Sequence, residues 1–343
     1  TPVGKYDAPG VADLVKDDKG VWSFTSTNLS PELYSYNLIL DGVKIVDPGS
    51  VYITRDITSE TNIFILSDKK GDCGDLYTVN EVPHGNVSKV WYDSPTLKMQ
   101  RRMTVYTPAG YDKGKDYPVL YLLHGAGGDE DAWTTLGRAQ HILDNLIATG
   151  KAKPMVVVMT NGNPNCQAAP GEWSAGMYVP SFNGYQGAKA VATMDESFPD
   201  VMNYVESHYK VGKDKAHRAI CGLSMGGGHS FDISRRFPNK FDYVGLFSAG
   251  LHVGKTGDFR SDFYKMLQED EEAKQQLATL FKNKPKLYWI GMGKTDFLYK
   301  STAGLRRYFD EKGYKYTYME TEGGHIWRNW RVYLTEFAQK IFK

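Results

Sequence analysis

The strongest constraint on the fold of this chain is a set of five apolar runs with almost no polar alternation. They are YPVLYLLHG (117–125), KPMVVVMTNG (153–162), HRAICGLS (217–224), YVGLFSAG (243–250) and KLYWIGMG (286–293). A strand that is apolar on both sides needs cover on both faces. Helix-patterned segments lie between the runs, among them HILDNLIATG (141–150) and SFPDVMNYVESHY (197–209). This alternation predicts a mostly parallel sheet covered by helices on both faces. Ligands of such sheets bind beyond the carboxyl ends of the strands, so chemistry is to be sought just after each run.

The first 80 residues read differently. GVWSFTST, LYSYNLILDG and NIFILSD alternate apolar and polar residues between Pro, Gly, Asn and Asp turns. They predict a small all-β, immunoglobulin-like sandwich over 1–80 with no amphipathic helix. The turn-rich TVNEVPHGNVS (78–88) marks the boundary to a second domain over 81–343.

Composition narrows the function. Hydrophobic residues make up 41% and charged residues 24%, enough for a sizeable core. The net charge of +1 gives no reason to expect nucleic acid or an anionic membrane as partner. No apolar run approaches the ~20 residues of a membrane helix. Cys73, Cys166 and Cys221 are far apart and lack metal-type spacing, so neither a disulfide framework nor a metal site is expected. GMGKT (291–295) has part of a phosphate-loop pattern, but Tyr288 stands where the first glycine belongs. No cofactor is expected.

Gly222-Leu223-Ser224-Met225-Gly226 is a weak signal by itself in a chain with 35 Gly. Its setting is what makes it specific. Ser224 ends an apolar strand and precedes a helical pattern over 225–237, the strand–turn–helix of a nucleophile elbow. The flanking glycines let strand and helix approach. GEWSAG, around Ser174, has the wrong glycine spacing and no strand before it.

A serine needs a base. His84 and His252 are read as loop residues, and His141, His208 and His229 sit in helical patterns. His217 is at the wrong end of its strand, and His124 belongs to a glycine loop. His325 follows KYTYMET and Gly323-Gly324 and precedes the last helix, the place of the base in this architecture. Asp296, just beyond KLYWIGMG, is the carboxylate, with Asp310 and Glu322 as rivals. The order Ser224, Asp296, His325 has gaps of 72 and 29 residues. It is the order of an α/β hydrolase. The oxyanion donors are expected from the N–H of Met225 and from the loop His124-Gly125-Ala126-Gly127-Gly128, with Ala126 first and Gly127 as rival.

Residues 111–162, GLSMGGGHSFDISRRFPNKFDYVGLFSAG and GGHIWRNW together resemble carbohydrate esterase family one, the esterase D-like group that includes feruloyl and acetylxylan esterases. The order Gly20-Val21-Trp22, Leu33-Tyr34-Ser35-Tyr36, Asp41-Gly42, Asp47-Pro48 resembles the glycogen-binding-type early-set module, carbohydrate-binding module family 48. The esterase resemblance implies Ser224 as nucleophile, His325 as base, Asp296 as acid, and Trp327 lining the active site. It also implies a secreted or periplasmic enzyme acting on feruloylated xylan or oligosaccharides. Acetylxylan and enterochelin-type siderophore esters are the alternative substrates, and a carbohydrate-binding protein with a silent hydrolase fold is the alternative to an enzyme. The segment 163–194 departs from the family and leaves the strand end as a turn-rich, aromatic stretch. Trp173 and Tyr178, with Phe182 and Tyr185, offer aromatic surface there for a hydroxycinnamoyl ring or a sugar face.

Overall fold

The computed structural model describes residues 10–26, 29–177, 187, 189–253 and 262–343. Its centre is an eight-stranded sheet: β1 Asn86–Ser94, β2 Met99–Thr107, β3 Val119–Leu123, β4 Val156–Thr160, β5 Arg218–Leu223, β6 Tyr243–Phe247, β7 Leu287–Gly293 and β8 Thr317–Thr321. The spatial order is β8-β7-β6-β5-β3-β4-β2-β1. Only β2 runs against the others. This is the α/β-hydrolase sheet, and the five apolar runs supply β3 to β7. The edge strand β1 and its neighbour β2 carry no such run and were not foreseen.

Among the described residues six longer helices cover the sheet: α1 Ala139–Ala148, α2 Met194–His208, α3 Met225–Arg236, α4 Glu271–Lys282, α5 Tyr299–Lys312 and α6 Trp327–Ala338. Every residue of β3, β4 and β6 is buried. Alternate side chains therefore feed two cores. Val119, Tyr121, Val156 and Val158 meet Phe198, Val201, Phe231, Leu277 and Leu305 of α2 to α5. Leu120, Leu122, Val157 and Met159 meet Ile142, Leu146, Tyr333 and Phe337 of α1 and α6.

Before the sheet lies an all-β region. Glu32–Tyr36, Ser59–Leu66 and Ile53–Asp56 form a three-stranded antiparallel sheet in that order, beside two small hairpins. One short helix, Cys73–Tyr77, capped by the Asp72 carboxylate, interrupts the β pattern; five residues are too few for a legible periodicity. Buried polar bonds hold the region to the hydrolase helices. Glu32 accepts from Arg331 at 3.1 Å and Arg328 at 3.3 Å. The Asn145 amide caps the carbonyls of Asp75, Leu76 and Thr78. Just beyond the boundary, Asp144 of α1 accepts from Gly85 N–H and Tyr106 O–H and pairs with His84, which fixes the segment entering the sheet.

Candidate active site

Ser224 leaves β5 with φ 52° and ψ −115° and is the residue before α3. That positive φ is costly for a side-chain-bearing residue and must be held by its surroundings. Three backbone bonds do so: Ser224 N–H to Phe247 O at 2.9 Å, and Gly228 N–H and Gly250 N–H to Ser224 O at 3.0 and 2.8 Å. A Cβ on Gly222 would lie 2.5 Å from the Gly226 backbone, and one on Gly226 would lie 2.5 Å from His124 O. Strand, helix and glycine loop thus meet with backbone against backbone. The serine side chain is held up at the carboxyl end of the sheet, partly exposed.

The glycine loop after β3 passes directly beside it. A Cβ on Gly125 would come 3.2 Å from Ser224 Cβ. His124 fixes this loop. Its Nε2 accepts from Gly162 N–H at 2.7 Å, so Nδ1 carries the proton and donates to Gly125 O at 2.7 Å. Burial lowers the His124 pKa, which keeps the ring neutral and in this tautomer. The ring is a bracket with no lone pair left to act as a base. Among the described residues, the N–H groups of Ala126, Gly127 and Met225 have no hydrogen-bond partner. Met225 N–H is also the first of a helix, where the backbone dipoles favour an anion. Buried Glu130 ties the same loop to its neighbours through Arg102, the Asn161 amide and Ala169 N–H.

Asp296 and His325 come together from the ends of β7 and β8. His325 Nδ1 lies 2.9 Å from Asp296 Oδ2, and Asp296 Oδ1 accepts from Leu298 N–H at 2.8 Å. The carboxylate is buried, so it orients the imidazole with Nε2 free. Two backbone bonds zip the carrying loops together, Lys294 N–H to Thr321 O and Thr295 N–H to Gly323 O. The close approach at this point needs glycine, because a Cβ on Gly293 would fall 2.3 Å from Gly323 O. The His325 ring sits between Phe297, at 4.5 Å, and Trp330, at 4.9 Å. The rival carboxylates are engaged elsewhere, Asp310 with Tyr316 and Glu322 with Lys294.

Of the aromatic candidates, Trp327 opens α6 two residues after His325 and packs edge-on against Trp133 and Trp330. Trp173 lies against Gly176 of its own loop. Tyr178, Phe182 and Tyr185 lie outside the described residues. Sequence reasoning missed Phe297 and the hairpin tip Arg55-Asp56-Ile57. Phe297 was discoverable, since it follows Asp296 directly. The hairpin tip reaches the site from the N-terminal region: Ile57 packs on Gly127, where a Cβ would come 2.8 Å from Ile57 Cγ1. No local signal announces that contact. Among the described residues no cluster of three or more His, Cys, Asp or Glu is arranged to hold a metal ion.

The Esterase family matches residues 94–341 of the chain. An endo-1,4-beta-xylanase/feruloyl esterase of Xylanibacter ruminicola is 32% identical over 96% of this chain, which spans 41% of that relative's length. A solved ferulic acid esterase is 26% identical, covers 75% of this chain and 97% of its own, and superposes with a TM-score of 0.59. A family-one ferulic acid esterase from Anaeromyces mucronatus, solved with ferulic acid, shares the fold at 23% identity and a TM-score of 0.60, over 81% of this chain and 98% of its own.

Proposed function

The chain belongs to the esterase family, and on that premise we propose that it is a serine esterase that hydrolyses feruloyl or related hydroxycinnamoyl esters on arabinoxylan through an acyl-enzyme. The observation that carries the reading is the pair of buried Asp296 with partly exposed His325, at the same end of the sheet as Ser224 on its positive-φ turn. The xylanase/feruloyl esterase relative, similar over 96% of this chain, supports the acyl group.

The chemistry runs in two halves. Ser224 Oγ attacks the ester carbonyl carbon while His325 Nε2 takes the hydroxyl proton. Asp296 holds the Nδ1–H tautomer and stabilises the imidazolium. The carbonyl oxygen becomes an anion held by the N–H groups of Met225 and Ala126. The C–O bond to the alcohol then breaks, and His325 returns its proton to the leaving oxygen. Water next attacks the acyl-serine by the same path in reverse, with His325 again as base, and frees the carboxylic acid and the serine.

Initial rates on methyl ferulate and on 4-nitrophenyl acetate test the acyl group. A clear preference in kcat/KM for the ferulate is expected. Negligible ferulate turnover beside good acetate turnover refutes the feruloyl reading and moves the substrate to acetyl esters.

A further inference from the structure

The tip between strands Ile53–Asp56 and Ser59–Leu66 is part of the N-terminal region, yet two contacts hold it at the catalytic end of the sheet. Arg55 pairs with Asp129, two residues beyond Gly127, at 2.5 Å. Ile57 packs on Gly127 itself. The first turn of α6 lies against the same region, with Arg328 and Glu32 at 3.3 Å, and brings Trp327 near the Asp56 carboxylate. Gly127 and Asp129 belong to the loop beside Ser224, and Trp327 stands two residues after His325. These anchors hold Asp56 beside the oxyanion loop, on the side where α6 begins. The turn is built for this position rather than relaxed. Ile57, a β-branched residue, holds φ 55°, and Arg55 Nη1 donates to its carbonyl at 3.0 Å.

We propose that Asp56 determines specificity on the leaving-group side of the cleft, where its carboxylate accepts hydrogen bonds from the hydroxyls of a sugar alcohol. The inference rests on the esterase reading above, but only on its alcohol half, and holds for a feruloyl or an acetyl donor alike. His325 protonates the leaving oxygen, so the alcohol departs beside the His325 loop and the first turn of α6. On this reading Trp327, two residues after His325, and Asp56 near it stand on that side. An ionised carboxylate is acceptor-only, with about four lone-pair sites. Trp327 stands near the carboxylate, while Arg55 is turned to Asp129 and Ile57. Asp56 stays exposed, so its remaining lone pairs are open to a substrate hydroxyl. Nearby protein mass pushes its pKa up, and the Trp327 N–H and Arg55 pull it back. A site that hydrogen-bonds a substrate hydroxyl discriminates strongly against an ester that lacks it. The same charge repels anionic alcohols.

The test compares kcat/KM on a feruloylated arabinose with that on methyl ferulate, and on an acetylated xylo-oligosaccharide with that on 4-nitrophenyl acetate, using the full chain. In Asp56→Ala the sugar-over-simple ester ratio is expected to fall about tenfold, mainly through KM, as one hydrogen bond to a charged group is lost. In Asp56→Asn, which keeps the shape and one acceptor oxygen, it should fall less. A ratio within twofold of wild type in both variants overturns the proposal, including the case where both esters lose equally because the tip only supports the loop. Wild-type protein that cleaves the acetyl pair and neither ferulate refutes the feruloyl reading, while the acetyl ratio still decides for or against Asp56.

Discussion

Two glycines beside Ser224 differ in what an added methyl group would meet, and that difference tests how tightly the elbow is built. A Cβ on Gly226 would lie 2.5 Å from His124 O and 2.6 Å from the carbonyl carbon and oxygen of Leu123, all backbone atoms. Ordinary contact begins near ~3.5 Å, so Gly226→Ala requires about 1 Å of separation between α3 and the oxyanion loop. Overpacking of this kind costs about 1–3 kcal/mol of stability. Misplacing a catalytic donor by about 1 Å costs on the order of 100-fold in rate. Among the described residues a Cβ on Gly250 meets Ser224 O at 3.5 Å and nothing nearer, and Gly250 has no positive φ. Gly250→Ala should therefore stay within about threefold of wild type, since it adds only ordinary contact. The assay is kcat on 4-nitrophenyl acetate beside urea unfolding of both variants. Wild-type kcat in Gly226→Ala, or equal losses in the two variants, would refute the close-approach argument.

Three further outcomes follow from other contacts. In Asp296→Asn, the Leu298 N–H keeps an oxygen at Oδ1, so the new amide N–H₂ turns toward His325 Nδ1 and imposes the wrong tautomer. Turnover should fall about 10⁴-fold with the fold intact by circular dichroism, and a loss under tenfold contradicts the pair's role. Glu32→Ala leaves Arg331 buried with its charge uncompensated, so urea unfolding should report roughly 3 kcal/mol of destabilisation; a loss below about 1 kcal/mol contradicts buried docking of the N-terminal region. Burial lowers the pKa of His124, and it takes His141 and His229 down to about 4. The unfolded chain binds protons on these rings below about pH 6.5, where the folded protein does not. Their stability contribution is thus full above that pH and is lost as pH falls toward 4. Urea midpoints at pH 7.5, 6 and 5 should descend in that order, and a flat or rising series contradicts the assignment.

The parallel core was legible because a strand buried on both faces has to be apolar throughout, as β3 to β7 are. The elbow was legible because backbone-to-backbone approach at Gly222 and Gly226 tolerates no side chain. β2 escaped because Arg101 and Arg102 interrupt its pattern. Both are buried, satisfied by partners from distant segments: the Asn161, Asn163 and Cys166 carbonyls for Arg101, and Glu130 and Glu172 for Arg102. A local reading sees two charges and infers a surface. Asp56 and Ile57 escaped for the same reason. Their partners, Trp327 and Gly127, lie far along the chain, and nothing in the turn sequence encodes that meeting.

The most direct test of the central claim is intact-mass and peptide analysis after exposure to a fluorophosphonate probe, on wild type and Ser224→Ala. A single adduct on the Ser224 peptide is expected in wild type and none in the variant, whose ester turnover should fall by several orders of magnitude. An adduct on another residue, or a Ser224→Ala protein that still turns over ester at the wild-type rate, would contradict it.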